Sequence, residues 1–329
     1  MDELVARLRA AGCVFAEDEA RILTESADGD AARLEELVTA RVGGLPLEHL
    51  VGWAELAGRR WLVSPGVFVP RQRSELLVLE AAARAATRAV GATDPAGVGS
   101  AAEATGAGGT EAATAVGSVL LVDLCCGCGA LGGAVAARLL AAGHDVVLHA
   151  ADVDPVAVSC AHDNLKALAD DGGPGALVAH TYTGDLAEPL PAEVWGRVDL
   201  LVANAPYVPT AAIGMMPPEA REHEPHAALD GGGDGLTILR RVIDLAPRLL
   251  RPGGHLLVET GEGQVSAAVG HLTAAGLTTT VLSDEDLGAT ALAATLPSKQ
   301  GEGQLKGWRD AQASSEVRGP VKNGTSSRT

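Results

Sequence analysis

The sequence predicts an α/β chain: a doubly wound, mostly parallel sheet of seven strands, preceded by a small helical module. Three observations carry this. Seven short apolar runs recur through the C-terminal two thirds, at Val119–Val122, Val146–His149, Leu177–Ala179, Val198–Ala203, His255–Val258, Thr278–Leu282 and Ala291–Leu296. Helix-length segments with apolar residues at helical spacing, 130–142, 155–168, 235–250 and 264–275, fill several of the gaps. Strands that alternate with crossover helices build parallel sheets covered on both faces. Finally, 329 residues with 47% hydrophobic side chains are enough for a sizeable core and long for one compact domain.

In chain order, Leu4, Leu8 and Ala11, then Ile22, Leu23, Leu34, Leu37 and Val38 recur at helical spacing, with breaks at Gly29 and Gly43-Gly44. Residues 1–52 are therefore expected to form a helical module. In 53–90 the runs Trp61-Leu62-Val63 and Val67-Phe68-Val69 flank Ser64-Pro65-Gly66, which predicts two short strands about a turn, followed by a connecting helix. Residues 91–118 are Ala, Gly, Thr or Ser at 22 of 28 positions and read as a flexible linker. The sheet domain spans 119–297. Residues 298–329 have few apolar side chains and no periodicity, and are expected to lack fixed structure.

The chain carries 25 Lys and Arg against 42 Asp and Glu, a formal charge of −17. The tail alone holds six basic and three acidic residues, so residues 1–297 stand at −20. General nucleic-acid binding needs the opposite sign. No apolar run reaches the roughly 18 residues that span a bilayer, and the acidic start Met1-Asp2-Glu3 is unlike a signal peptide. A cytoplasmic protein without a membrane partner is the expectation. The five cysteines, an odd count with three in four positions, do not read as a disulfide framework.

Ligands on such sheets bind at the carboxyl ends of strands, and three candidate pieces lie there. Asp123-Leu124-Cys125-Cys126-Gly127-Cys128-Gly129-Ala130 runs from a strand through a small-residue turn into a helix, where backbone N–H groups can approach a ligand. Read structurally, it is a tight turn. Asp152 ends the next run at the spacing of an acid that binds ribose hydroxyls, whereas Asp154, ahead of Pro155, is better placed to cap a helix. Asn204-Ala205-Pro206-Tyr207 closes the fourth run. It is similar to the Asn-Pro-Pro-Tyr tetrad of methyltransferases that act on planar, conjugated NH2 groups. The lone pair of such a nitrogen is delocalised. Two acceptors, the Asn204 side-chain oxygen and the carbonyl of residue 205, can hold both N–H bonds and turn the lone pair towards an electrophilic methyl, with Tyr207 against the flat group.

Together these pieces resemble the class I S-adenosylmethionine-dependent methyltransferases, whose sheet is Rossmann-like. The stretch Pro217-Pro218-Glu219 through Gly231-Gly232-Gly233-Asp234-Gly235 narrows the resemblance to HemK-type protein-(glutamine-N5) methyltransferases. Pro46 to Gly52, Pro65 to Arg71 and Ser74-Glu75-Leu76-Leu77 are similar to that family's N-terminal region. The resemblance implies a last strand running antiparallel and S-adenosyl-L-methionine as methyl donor. It implies that Asp123 binds the donor, that Cys125, Cys126, Gly127, Cys128 and Gly129 wrap its methionine part, that Asp152 binds the ribose, and that Asp185 and Leu186 sit by the adenine. Asn204, Ala205, Pro206 and Tyr207 would form the glutamine-amide site, with Asn204 also near the donor and Arg71 and Ser74 close by. The implied partner is a protein of the translation machinery, a release factor or a ribosomal protein.

Three departures stand out. The family's first turn glycine is Cys125, the tetrad's first Pro is Ala205, and Arg-Pro-Glu-Thr-Glu is Arg71-Gln72-Arg73-Ser74-Glu75. Ala205 keeps the needed carbonyl, and Pro206 biases it to an extended conformation. Cysteine at 125 is tolerated if that position does not require positive φ. Rival readings stay open: Cys125-x-x-Cys128 as a redox pair or half a zinc site, lacking a second Cys pair, and His223 with His226 as metal ligands, with Pro225 breaking the helix they need. No metal is expected. Other readings of the whole chain are a methyltransferase for an exocyclic amine of a nucleic-acid base, and a cofactor-binding protein without catalysis.

Overall fold

The computed structural model describes residues 1–91 and 118–298. Almost all of the 91–118 linker and the tail beyond Ser298 lie outside the described residues. Helices α1 (Asp2–Ala10), α2 (Ala16–Ser26), α3 (Ala31–Val42) and α4 (Leu47–Val51) open the chain. Their apolar stripes meet in a small core of Leu8, Ala16, Ala20, Leu23, Leu37 and Val38. Asp30 starts α3 by accepting the N–H groups of Ala32 and Arg33.

The strand pair forms elsewhere than the sequence predicts. β1 (Trp53–Leu56) and β2 (Arg59–Leu62) make an antiparallel hairpin, and Val67-Phe68-Val69 forms no strand. Ala57 (φ 54°) and Gly58 (φ 74°) both lie in the left-handed region, the tight-turn conformation whose twist matches a two-residue hairpin. That turn brings 53–56, rather than 67–69, beside Trp61. Beyond Pro65-Gly66 the chain instead inserts Val67 and Val69 into the main core, where burial rather than pairing explains their apolar character.

After α5 (Glu75–Gly91) come β3 (Val119–Leu124), α6 (Ala130–Ala141), β4 (Val146–Asp152), α7 (Pro155–Asp170), β5 (Leu177–Thr183) and β6 (Val198–Ala203). Short α8 (Pro218–His223) and α9 (His226–Leu229) lead to α10 (Thr237–Leu249), β7 (Leu250–Glu259), α11 (Val265–Ala274), β8 (Thr278–Asp284) and β9 (Ala289–Thr295). The seven-stranded sheet has the order β5-β4-β3-β6-β7-β9-β8, and β9 runs antiparallel to both its neighbours. The remaining pairs are parallel. One face packs α5, α6, α7 and Trp61; the other packs α10 and α11. The strand order reverses between β3 and β6, so their carboxyl ends open a crevice beside that of β4.

The hairpin is locked to this sheet. A Cβ on Gly133 of α6 would stand 2.5 Å from Cζ3 of the buried Trp61 ring, so only glycine lets the helix come so close. Asn164 of α7 accepts the Leu62 N–H at 2.7 Å and donates to the carbonyls of Leu62 (2.9 Å) and Cys128 (2.8 Å), tying the hairpin to the turn after β3. Among the described residues no helix is long and apolar enough to cross a membrane.

Candidate active site

The turn between β3 and α6 is left-handed at three alternate residues, Cys125 (φ 57°), Gly127 (φ 54°) and Gly129 (φ 75°). Position 125 does require positive φ, against the condition under which a side chain there is unstrained. Cys125 holds a conformation that costs an L-residue about 1–2 kcal/mol. Gly129 is also a close-approach glycine, since a Cβ there would lie 3.0 Å from that of Ala161 in α7. The Gly127 N–H points across to β4 and donates to Asp152 Oδ2 at 2.8 Å, while Asp152 Oδ1 accepts the Asp154 N–H at 3.0 Å. Asp154 itself caps α7 through Val156 at 2.8 Å. Asp154 thus caps the helix as its place ahead of Pro155 predicts, while Asp152 is held at the cavity edge by two backbone N–H groups.

The crevice encloses a cavity of about 420 Å³, within the size range of small-molecule sites. Cys125 to Cys128, Asp152, Asp185, Leu186, Asn204 and Pro206 line it, and Phe68, Pro70 and Ser74 close it from the segment ahead of α5. Gly129 and Asp123 lie behind this lining. Asp123 is fully buried; its Oδ2 accepts the Gly132 N–H at 2.8 Å, and its Oδ1 has no partner among the described residues. Burial pushes its carboxyl up to about 7, with the Asp152 charge adding to the effect and the Gly132 N–H opposing it. Burial likewise raises Asp152 against its backbone bonds. The thiols of Cys125 and Cys126 are driven far above their ordinary range by burial, and Cys128 to about 12. Such thiols are poor nucleophiles at neutral pH. Arg241 of α10, which the sequence did not single out, joins the wall and pairs with Asp185 at 2.7 Å.

At the end of β6, Asn204 and Pro206 line both this cavity and a second of about 730 Å³, which opens towards the helical module. Ala205 and Tyr207 line the second alone. The Asn204 side chain donates to Ser74 Oγ at 3.3 Å, and Ser74 donates to Glu259 Oε2 at 2.6 Å. The other carboxylate oxygen, Oε1, accepts from Arg73 Nε at 2.6 Å and from the Tyr207 hydroxyl at 2.9 Å, and Arg73 Nη2 donates to that same hydroxyl. Burial and the Glu259 charge push the Tyr207 phenol above its ordinary range, so the ring stays neutral. Arg71 is turned to Glu224 at 2.5 Å, bracing the loop that follows the tetrad.

That loop folds back on the tetrad. Val208 N–H donates to the Leu229 carbonyl at 3.1 Å and Gly231 N–H to the Val208 carbonyl at 2.9 Å. Gln264 fixes the Tyr207 and Asp234 carbonyls at 2.9 Å each. A Cβ on Gly235 would meet the Tyr207 oxygen at 2.3 Å, which accounts for the glycine there. Buried Arg41 of α3 holds Glu19 at 2.6 Å and reaches Glu219 at 2.7 Å, joining the helical module to the loop. Sequence reasoning missed Arg41, Arg73, Arg241 and Glu259. Glu259 was findable, since it ends an apolar strand at the same carboxyl edge as Asp152.

No family model matches the chain. It is similar to proteins named release factor glutamine methyltransferase. That of Geobacter sulfurreducens is 33% identical over 247 residues, 75% of this chain and 72% of that protein. That of Mycobacterium tuberculosis is 33% identical over 255 residues, 78% of this chain and 71% of that protein. For Streptomyces coelicolor the figures are 33% over 238 residues, 72% of this chain and 70% of that protein.

Proposed function

The chain belongs to the release factor glutamine methyltransferase family, and from that premise we propose that it transfers a methyl group from S-adenosylmethionine to the N5 amide nitrogen of a glutamine in a translation release factor. One observation supports this above the others: Asn204 stands at the junction of two cavities, one suited to the donor and one open for a protein side chain.

The donor set of the first cavity fits S-adenosylmethionine. After accepting one backbone N–H each, both Asp152 oxygens keep a lone pair for a vicinal diol. Phe68, Leu186 and Ile238 offer apolar walls to a flat base. Asp123 lies behind the turn with an unpartnered oxygen, and a cationic group in the cavity would favour its ionised form. When bound, the donor supplies a methyl group on a sulfonium centre.

The chain's own residues orient the acceptor. The Asn204 oxygen and the Ala205 carbonyl each take one N–H of the incoming amide, which turns the nitrogen lone pair towards the first cavity. Tyr207 packs beside the amide plane, neutral and fixed through its hydroxyl. The two carbonyl dipoles also stabilise the positive charge that develops on nitrogen, so no strong base is needed. Asn204→Ala should leave donor affinity nearly intact while turnover falls roughly two to three orders of magnitude, the usual cost of removing a positioned polar group. Calorimetry beside a labelled-methyl assay reads both, and turnover at the wild-type rate would overturn the assignment.

A further inference from the structure

Glu259 lies outside the tetrad and touches neither cavity, yet proton accounting makes it decisive. Tyr207 and Arg73 both donate to its Oε1, so that oxygen must remain an acceptor. The Ser74 hydroxyl has one proton, and it is committed to Oε2 at 2.6 Å. Ser74 Oγ can then only accept from Asn204, so the Asn204 NH2 faces Ser74 at 3.3 Å and its oxygen is left for the cavity. Resting on the methyl-transfer reading above, we propose that Glu259 is a positioning residue that sets, through Ser74, which way round the Asn204 amide is presented, and that Arg73 fixes the polarity of the relay. Arg73 stands where the family resemblance has a Glu, so this chain brings its own cation to the relay.

The test is an isosteric reversal. In Glu259→Gln, Arg73 and Tyr207 still require an acceptor, so the new amide oxygen faces them and its NH2 faces Ser74. The Ser74 proton then turns to Asn204, whose amide flips and presents NH2 to the incoming NH2. Turnover should fall about 10- to 100-fold with donor affinity unchanged, the cost of setting donor against donor in a buried site. Ser74→Ala added to Glu259→Gln breaks the relay and should bring turnover back up to the level of Ser74→Ala alone, a few-fold below wild type. A merely structural role predicts two losses that add. Turnover of Glu259→Gln within twofold of wild type, or a double variant no faster than Glu259→Gln, overturns the proposal.

A readout without activity separates this from failure of the methyl-transfer reading. The side-chain NH2 resonance of Asn204, identified by its absence in Asn204→Ala, should exchange slowly with solvent in the wild-type chain and faster in both Ser74→Ala and Glu259→Gln. Fast exchange in the wild type overturns the relay even where Glu259→Gln does not fold. Slow exchange in a chain that methylates nothing leaves the relay standing and removes the proposed reaction.

Discussion

Replacing Asp123 with Asn should abolish a pH dependence of stability that the wild-type chain carries. Asp123, next to last in β3, has no exposed surface and one oxygen unpartnered among the described residues, and burial lifts its carboxyl from an ordinary 3.8 to about 7. Because the folded-state value is the higher, the group's favourable contribution is complete below about pH 4 and is lost as pH rises through 7. Fully ionised, it costs the folded state about 4 kcal/mol; between pH 5 and 8 the linkage gives a loss of about 2–3 kcal/mol. Asn keeps the acceptor for the Gly132 N–H and places an unpartnered NH2 where Oδ1 stood, a pH-independent cost of about 1–3 kcal/mol. Urea unfolding of both chains at pH 5, 6, 7 and 8 reads the difference directly. The variant should gain about 2–3 kcal/mol on the wild type across that range, a curve set by linkage alone. Parallel curves would show that Asp123 titrates like an ordinary carboxyl and that the burial argument is wrong.

Asp152→Ala should weaken S-adenosylmethionine binding by about 1.5–3 kcal/mol, the worth of a hydrogen bond to a charged group; unchanged affinity by calorimetry would remove the ribose assignment. Ala205→Pro restores the family tetrad and deletes an N–H that donates no hydrogen bond among the described residues. It should fold with stability equal to wild type or raised by about 0.4–1 kcal/mol, and methylate at least as fast on the same labelled substrate. A folded but inactive Ala205→Pro would mean that the alanine has its own role and the acceptor differs from a glutamine.

The sheet was legible because its strands are short apolar runs, several of them separated by helix-length segments, and the antiparallel last strand came with the resemblance. The hairpin was misplaced for a physical reason: Val67 and Val69 are apolar because they enter the core, and an apolar run of three does not distinguish burial from pairing. The cavity was legible where its lining falls on residues at strand ends, as at Asp152 and Asn204. It was not legible where side chains meet across the chain, as Arg73 and Ser74 do with Glu259, 186 and 185 positions away. The positive φ of Cys125 leaves no mark in composition or spacing, and Asp123 sits in the turn's motif while its side chain is buried behind it.

The central claim is that the Asn204 site methylates a glutamine amide of a release factor. The direct measurement is to incubate the full chain with a purified release factor and isotopically labelled S-adenosylmethionine, then map the label by peptide mass spectrometry. The account predicts one labelled methyl on the side-chain nitrogen of a single glutamine, absent when the chain carries Asn204→Ala. Label on another residue type, or equal labelling by Asn204→Ala, would contradict it.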